Sequence, residues 1–231
     1  MIVKSATRVL VSSLGTLAGL AGIEHGIGEM LQGNVAPEGL VILSWPGSEL
    51  FRILGGEPAM TIVPSLFVTG ILAVLVSLVY ILWATALARR KHSGLVLVLL
   101  SIVMLLVGAG FGTLFLGLIV GLAATRIDAP LPLPAGAGRI LARVWPWSYA
   151  ACVASWLLLL PGTIVLAYLL GTDNVTAAVP ALILLAFGSM LVAFLAAFAR
   201  DSQLAHESRK KKRDGPGIND RAGGAEDTAI V

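Results

Sequence analysis

Long apolar runs alternate with short polar segments along the chain, covering residues 9–31, 60–88, 94–125, 147–170 and 175–199. A stretch of ~18 or more apolar residues is long enough to cross the hydrocarbon core of a bilayer as a helix. The pattern therefore predicts an all-α, polytopic transmembrane helix bundle. Between the first two runs, residues 32–59 form a Pro- and Gly-containing segment with Glu38, Trp45, Pro46, Glu49, Arg52 and Glu57. Its stretch 39–51 mixes apolar residues with Trp45 and is expected to lie along the outer membrane interface.

The third run does not fit a single crossing. As one straight helix it would be about 48 Å long at 1.5 Å per residue, against a ~30 Å hydrocarbon core. Its centre holds Gly108, Gly110 and Gly112, which are costly inside a helix. A break there yields short helices over 95–107 and 114–125. They form either two thin crossings or a re-entrant hairpin. The predicted bundle thus has four long spans plus one glycine-broken pair, with spans at 9–31, 60–88, 95–107, 114–125, 147–170 and 175–199.

Charge placement favours this count over five spans. Five spans would put the basic run Arg209, Lys210, Lys211, Lys212 and Arg213 on the side opposite the N-terminus, against the positive-inside rule. With the broken pair, only Arg52 of the 16 Lys and Arg residues falls outside. Both termini are then cytoplasmic. Residues 1–200 form the membrane domain and 201–231 a basic tail, expected to be disordered because it lacks apolar periodicity. Tyr80, Trp83, Trp145, Trp147, Tyr149 and Tyr168 fall near the expected interfaces.

Composition sharpens the class. The chain of 231 residues is 57% hydrophobic and 13% charged, whereas a soluble domain carries about a quarter charged residues. The single cysteine, Cys152, excludes an intramolecular disulfide and reads as a small buried hydrophobe. Basic residues are not interleaved with aromatics, so nucleic acid is not an expected partner; the bilayer is. The expected location is a prokaryotic cytoplasmic membrane. A signal peptide cleaved after Ala21 is a competing reading of the N-terminus, opposed by continuation of the apolar run to Leu31.

The chemistry concentrates in the first run. Glu24, His25 and Glu29 are ionisable residues inside a membrane segment, where they are costly and often functional. Gly15, Gly19, Gly22 and Gly26 form one stripe of that helix, with Glu29 at its outer end, and allow close approach of another helix. His25 stands one turn from Glu29 and is expected to pair with it, while Glu24 faces away, toward a neighbouring helix or the loop near Trp45. Together the three are a candidate proton or cation site. No second histidine lies on the outer side, since His92 and His206 fall inside, so no metal site and no cofactor is expected.

Gly117 and Gly121 add a second close-packing pair, and the break at Gly108, Gly110 and Gly112 reads either as a tight turn or as an interrupted helix lining a site. Pro161-Gly162 is expected to kink the span 147–170. No phosphate loop, zinc-protease motif or nucleophile elbow is present. Three functions follow, in order. A non-catalytic packing or accessory protein would use its glycine faces for a homo-oligomer or a membrane partner. A small proton- or cation-coupled transporter would use Glu24, His25 and Glu29. An intramembrane enzyme comes last, because no nucleophile–base pair is visible.

Overall fold

The computed structural model describes residues 5–127 and 135–213. Among them, seven helices run in the order α1 (Ala6–Leu31), α2 (Leu66–Ala86), α3 (Ser93–Leu106), α4 (Phe111–Ala124), α5 (Ala135–Leu159), α6 (Pro161–Leu170) and α7 (Thr172–Arg213). Two short strands, β1 (Val41–Leu43) and β2 (Pro58–Met60), lie between α1 and α2. Helices α1, α2 and α7 are each long and apolar enough to cross a membrane, and α5 with α6 makes a fourth if the bent pair is one span.

Helix α1 sits at the centre. Leu10, Val11, Leu14 and Ala18 are fully buried, and the glycine stripe on the same helix brings α2 into backbone contact. A methyl group on Gly15 would overlap Ala84, one on Gly19 would overlap Ile81, and one on Gly26 would meet the carbonyl of Gly70. Gly22 faces both Ser77 of α2 and Met104 of α3. Gly117 and Gly121 seat α4 against Ser101 and Val98 of α3. Close backbone approach gains dispersion contacts that larger side chains would prevent. Tyr80 reaches across the resulting core and donates its hydroxyl to the Gly117 carbonyl at 3.1 Å. The outward faces of α2 and α7 instead expose Leu75, Leu78, Leu82, Leu184 and Leu191, apolar side chains that suit lipid better than water.

The glycine break lies where the sequence places it, with one correction. Gly108 and Gly110 both have left-handed backbone, at φ 95° and 88°, a conformation that glycine adopts without steric cost. Gly112 takes no part in the break; it lies in the first turn of α4. The turn brings α3 and α4 back alongside each other, with Gly94 against Thr125 at the other end of the pair.

Three further expectations are corrected. Residues 147–170 are not one kinked helix: α5 and α6 are separate and bent by 59°. The cause is Pro161, the first residue of α6, which has no N–H to carry the helical ladder through the join. The segment 39–51 is not an isolated strip. It folds with residues up to 62 into a cap whose β1 and β2 pair antiparallel, Ile42 opposite Ala59, because Ile42, Ala59 and Leu66 bury together. Consequently α2 begins at Leu66 and not near residue 60. Finally, residues 201–213 of the expected disordered tail continue α7 as helix; residues 214–231 lie outside the described residues, as does the proline-rich connector 128–134.

The start of α1 meets α7. Asp201 of α7 accepts from the amides of Ala6 at 2.7 Å and Thr7 at 3.0 Å, and from Ser5 Oγ at 2.6 Å. A carboxylate here satisfies α1's unpaired first-turn donors and favours the positive end of its dipole.

Candidate functional site

The C-terminal end of α1 and the cap build the site between them. Gln32, just past α1, donates to the carbonyls of Leu43 and Ser44 at 3.0 Å each and ties the cap to the helix end. Within the cap, Gly55, Gly56 and Glu57 are consecutive left-handed residues. For glutamate this is a sparsely populated conformation with a cost of order 1–3 kcal/mol. The Glu57 carbonyl accepts from the Ser44 amide at 3.0 Å, which holds this turn against β1.

His25 is the centre of the cluster and is buried. Its Nδ1 lies 2.9 Å from the Ala21 carbonyl and 3.1 Å from Glu24 Oε2. Both neighbours only accept, so Nδ1 carries a hydrogen. Nε2 points the other way, 3.3 Å from Glu57 Oε2. Any proton on that second contact is shared between an imidazole nitrogen and a carboxylate, and either can hold it. Glu24 is fixed from its other oxygen by the indole N–H of Trp45, whose ring stacks on Phe51 at 4.5 Å. Burial pushes the Glu57 carboxyl up to about 7, against the pull of His25 and with a further push from Glu24.

Glu24, His25 and Glu29, singled out on the sequence, therefore divide. Glu24 and His25 come together, and Trp45 meets Glu24 as anticipated for a carboxylate facing the loop. The expected His25–Glu29 pair is not formed. Glu29 is fully buried beneath the α3–α4 turn, where Ser44 Oγ donates to its Oε1 at 3.3 Å and its Oε2 has no hydrogen-bond partner. Gly108 lies against this carboxylate and against Thr69, while Gly110 lies against His25. The glycine break thus covers two of the ionisable residues of α1, Glu29 and His25.

Glu57 is the member that sequence reasoning missed. It read as one of several acidic loop residues, and only the fold of the cap carries it to His25. The signal available beforehand was local: a carboxylate directly after Gly55-Gly56 in a segment otherwise rich in apolar residues. Its arrival also changes the chemistry. Glu24, His25 and Glu57 each bring one ligand-type atom to within 4.8 Å of the others, an N,O,O donor set compatible with a divalent transition metal. The expectation of no metal site rested on the missing second histidine, and a carboxylate from the cap takes that place.

A cavity of about 260 Å³ opens beside the cluster. Leu17 and Leu20 of α1 form one wall, Leu160 and Ile164 at the α5–α6 bend another, and Phe51 closes it from the cap. The three polar residues occupy one part of an otherwise apolar lining. No protein-family model, no curated protein and no solved structure matches the chain.

Proposed function

We propose that this is a multi-pass protein of a prokaryotic cytoplasmic membrane, both ends cytoplasmic, acting as a small proton- or cation-coupled transporter through Glu24, His25 and Glu57. The observation that carries the reading is a buried imidazole, His25, held between two half-buried carboxylates, Glu24 and Glu57, on the wall of a cavity between helices. Ionisable groups set into a bundle interior, partnered with one another, are the usual elements of proton and ion pathways. Contact between Asp201 and Ala6 supports an even number of crossings. At the other end, the Ile62 amide bonds to the Leu106 carbonyl at 3.1 Å and Thr61 pairs with Val107. Contact between the α3–α4 turn and the cap supports two thin crossings over a shallow re-entrant hairpin.

The accessory-protein reading stood first on the sequence because glycine faces suit a partner helix. Here those faces meet the chain's own helices, Gly15 and Gly19 against α2 and Gly117 against α3, so the feature that recommended that reading is used internally.

Reporters fused after Lys91 and at Val231 are expected to report the cytoplasm; an external Val231 would overturn the topology. Purified protein in liposomes is expected to pass protons or monovalent cations, with Glu57→Gln and His25→Gln slowed by roughly a hundredfold, the low end for loss of a positioned proton carrier. Equal flux in wild type and both variants, each shown folded, would sink the transport reading.

A further inference from the structure

Resting on the cation-handling reading above, we infer that the cavity beside Glu24 and Glu57 takes a small organic cation, an ammonium group carrying an apolar body. The walls and the charge point the same way. Glu24, His25 and Glu57 supply ligand atoms at one end only, whereas Leu17, Leu20, Leu160 and Ile164 add none of the further oxygens or retained water that would complete the shell of an alkali or alkaline-earth ion. The apolar remainder of the cavity therefore suits an organic body. A neutral hydrocarbon would suit those walls but would leave the carboxylates without an added counter-charge in a poorly hydrated place. An anion would face two carboxylates. An ammonium ion meets both demands at once, its charge toward Glu24 and Glu57 and its apolar part along the leucines.

Size and aromatic placement narrow the class further. About 260 Å³ lies just below the ~300–1,000 Å³ typical of pockets for drug-sized ligands. A body of one ring or a short chain fits that space. Phe51 lines the same cavity, and an aromatic ring beside an ammonium group contributes a cation–π attraction. The polar groups are positioned independently of any ligand: Trp45 holds one oxygen of Glu24 and the Ala21 carbonyl holds His25 Nδ1. Such preorganisation lowers the cost of binding. Since His25 and Glu57 share a contact at 3.3 Å, an arriving cation competes with the proton held between them, and binding is expected to release protons.

The test uses full-length protein in nanodiscs, titrated calorimetrically with benzyltrimethylammonium, with benzyl alcohol as the uncharged ring and zinc ion alone as the inorganic cation. Expected is saturable one-site binding of the ammonium compound, weakened at least about tenfold by Glu57→Gln and by Ile164→Trp, which fills the cavity. The measured heat should vary with buffer ionisation enthalpy. Binding of benzyl alcohol as tight as that of the ammonium compound would overturn the inference using wild-type protein alone. So would unchanged affinity in both folded variants, which marks partition into lipid, or zinc binding that depends on Glu57 without ammonium binding. Glu57-dependent proton flux without ammonium binding would leave the transport reading standing and sink only this one; ammonium binding without flux would do the reverse.

Discussion

Gly110 lies directly against the imidazole of His25, so close that a methyl group built on the glycine would overlap Nε2. Gly110 also has φ 88°, so an alanine there would be strained by its own backbone as well as by the clash. Gly110→Ala is expected to destabilise the protein by about 1–3 kcal/mol. Gly112, two residues on, has nothing within 4 Å of the corresponding position and is helical. Gly112→Ala is expected to be neutral or to stabilise by up to ~1 kcal/mol. Thermal unfolding of the two variants in the same detergent checks the contrast; equal losses would refute the assigned geometry.

Asp201 of α7 caps the first turn of α1. Asp201→Ala leaves the amides of Ala6 and Thr7 without the carboxylate they bond to. The expected loss is about 1–2 kcal/mol, the range for removing an N-cap acceptor. Asp201→Asn keeps one acceptor oxygen and should lose less. Denaturant unfolding followed by helical circular dichroism measures both, and a cost for asparagine equal to that for alanine would show that hydrogen bonding is not what Asp201 supplies.

The cap should loosen as pH rises through neutrality. Glu57 has its carboxyl raised from 4.5 to about 7 by burial, with His25 and Glu24 facing it. A native state that holds this proton more tightly than the unfolded chain is stabilised in full below about pH 4.5. That contribution declines as pH rises and is gone above about pH 7. The whole effect is on the order of 3 kcal/mol, since each unit of displacement corresponds to about 1.4 kcal/mol. Amide exchange in residues 41–60, measured from pH 5 to pH 8, should accelerate more in wild type than in Glu57→Gln. Parallel pH profiles would contradict the raised carboxyl.

Trp45→Phe separates a hydrogen bond from a stacking contact. Phenylalanine keeps a ring for Phe51 but removes the indole N–H that Glu24 accepts. A hydrogen bond to a charged group contributes about 1.5–3 kcal/mol, so the variant should melt earlier by a corresponding amount. A melting temperature equal to that of wild type would mean that water replaces the indole without cost.

The membrane class, the helix order and the two-helix reading of residues 94–125 follow from sequence because they depend on local properties. Apolar length, glycine clusters and the placement of Arg89, Arg90 and Lys91 at the end of an apolar run can be read along one dimension. His25 and Glu24 were visible for the same reason, as charges where lipid should be. The break at Pro161 was foreshadowed, although its 59° bend was not, because bend size depends on what packs beside the proline.

Tertiary structure alone decided the make-up of the site. Sequence spacing put His25 and Glu29 one turn apart and suggested a pair, yet side chains on one helix compete with partners from elsewhere. The cap supplied such a partner in Glu57, and the α3–α4 turn laid Gly108 and Gly110 over the two α1 residues. The same holds for the glycine stripe of α1. Its spacing announces that some helix approaches closely, but α2 from the same chain and a helix of another molecule would leave the same pattern. Apolar length and helical periodicity are properties of a segment, whereas a buried cluster belongs to the segments that folding brings together.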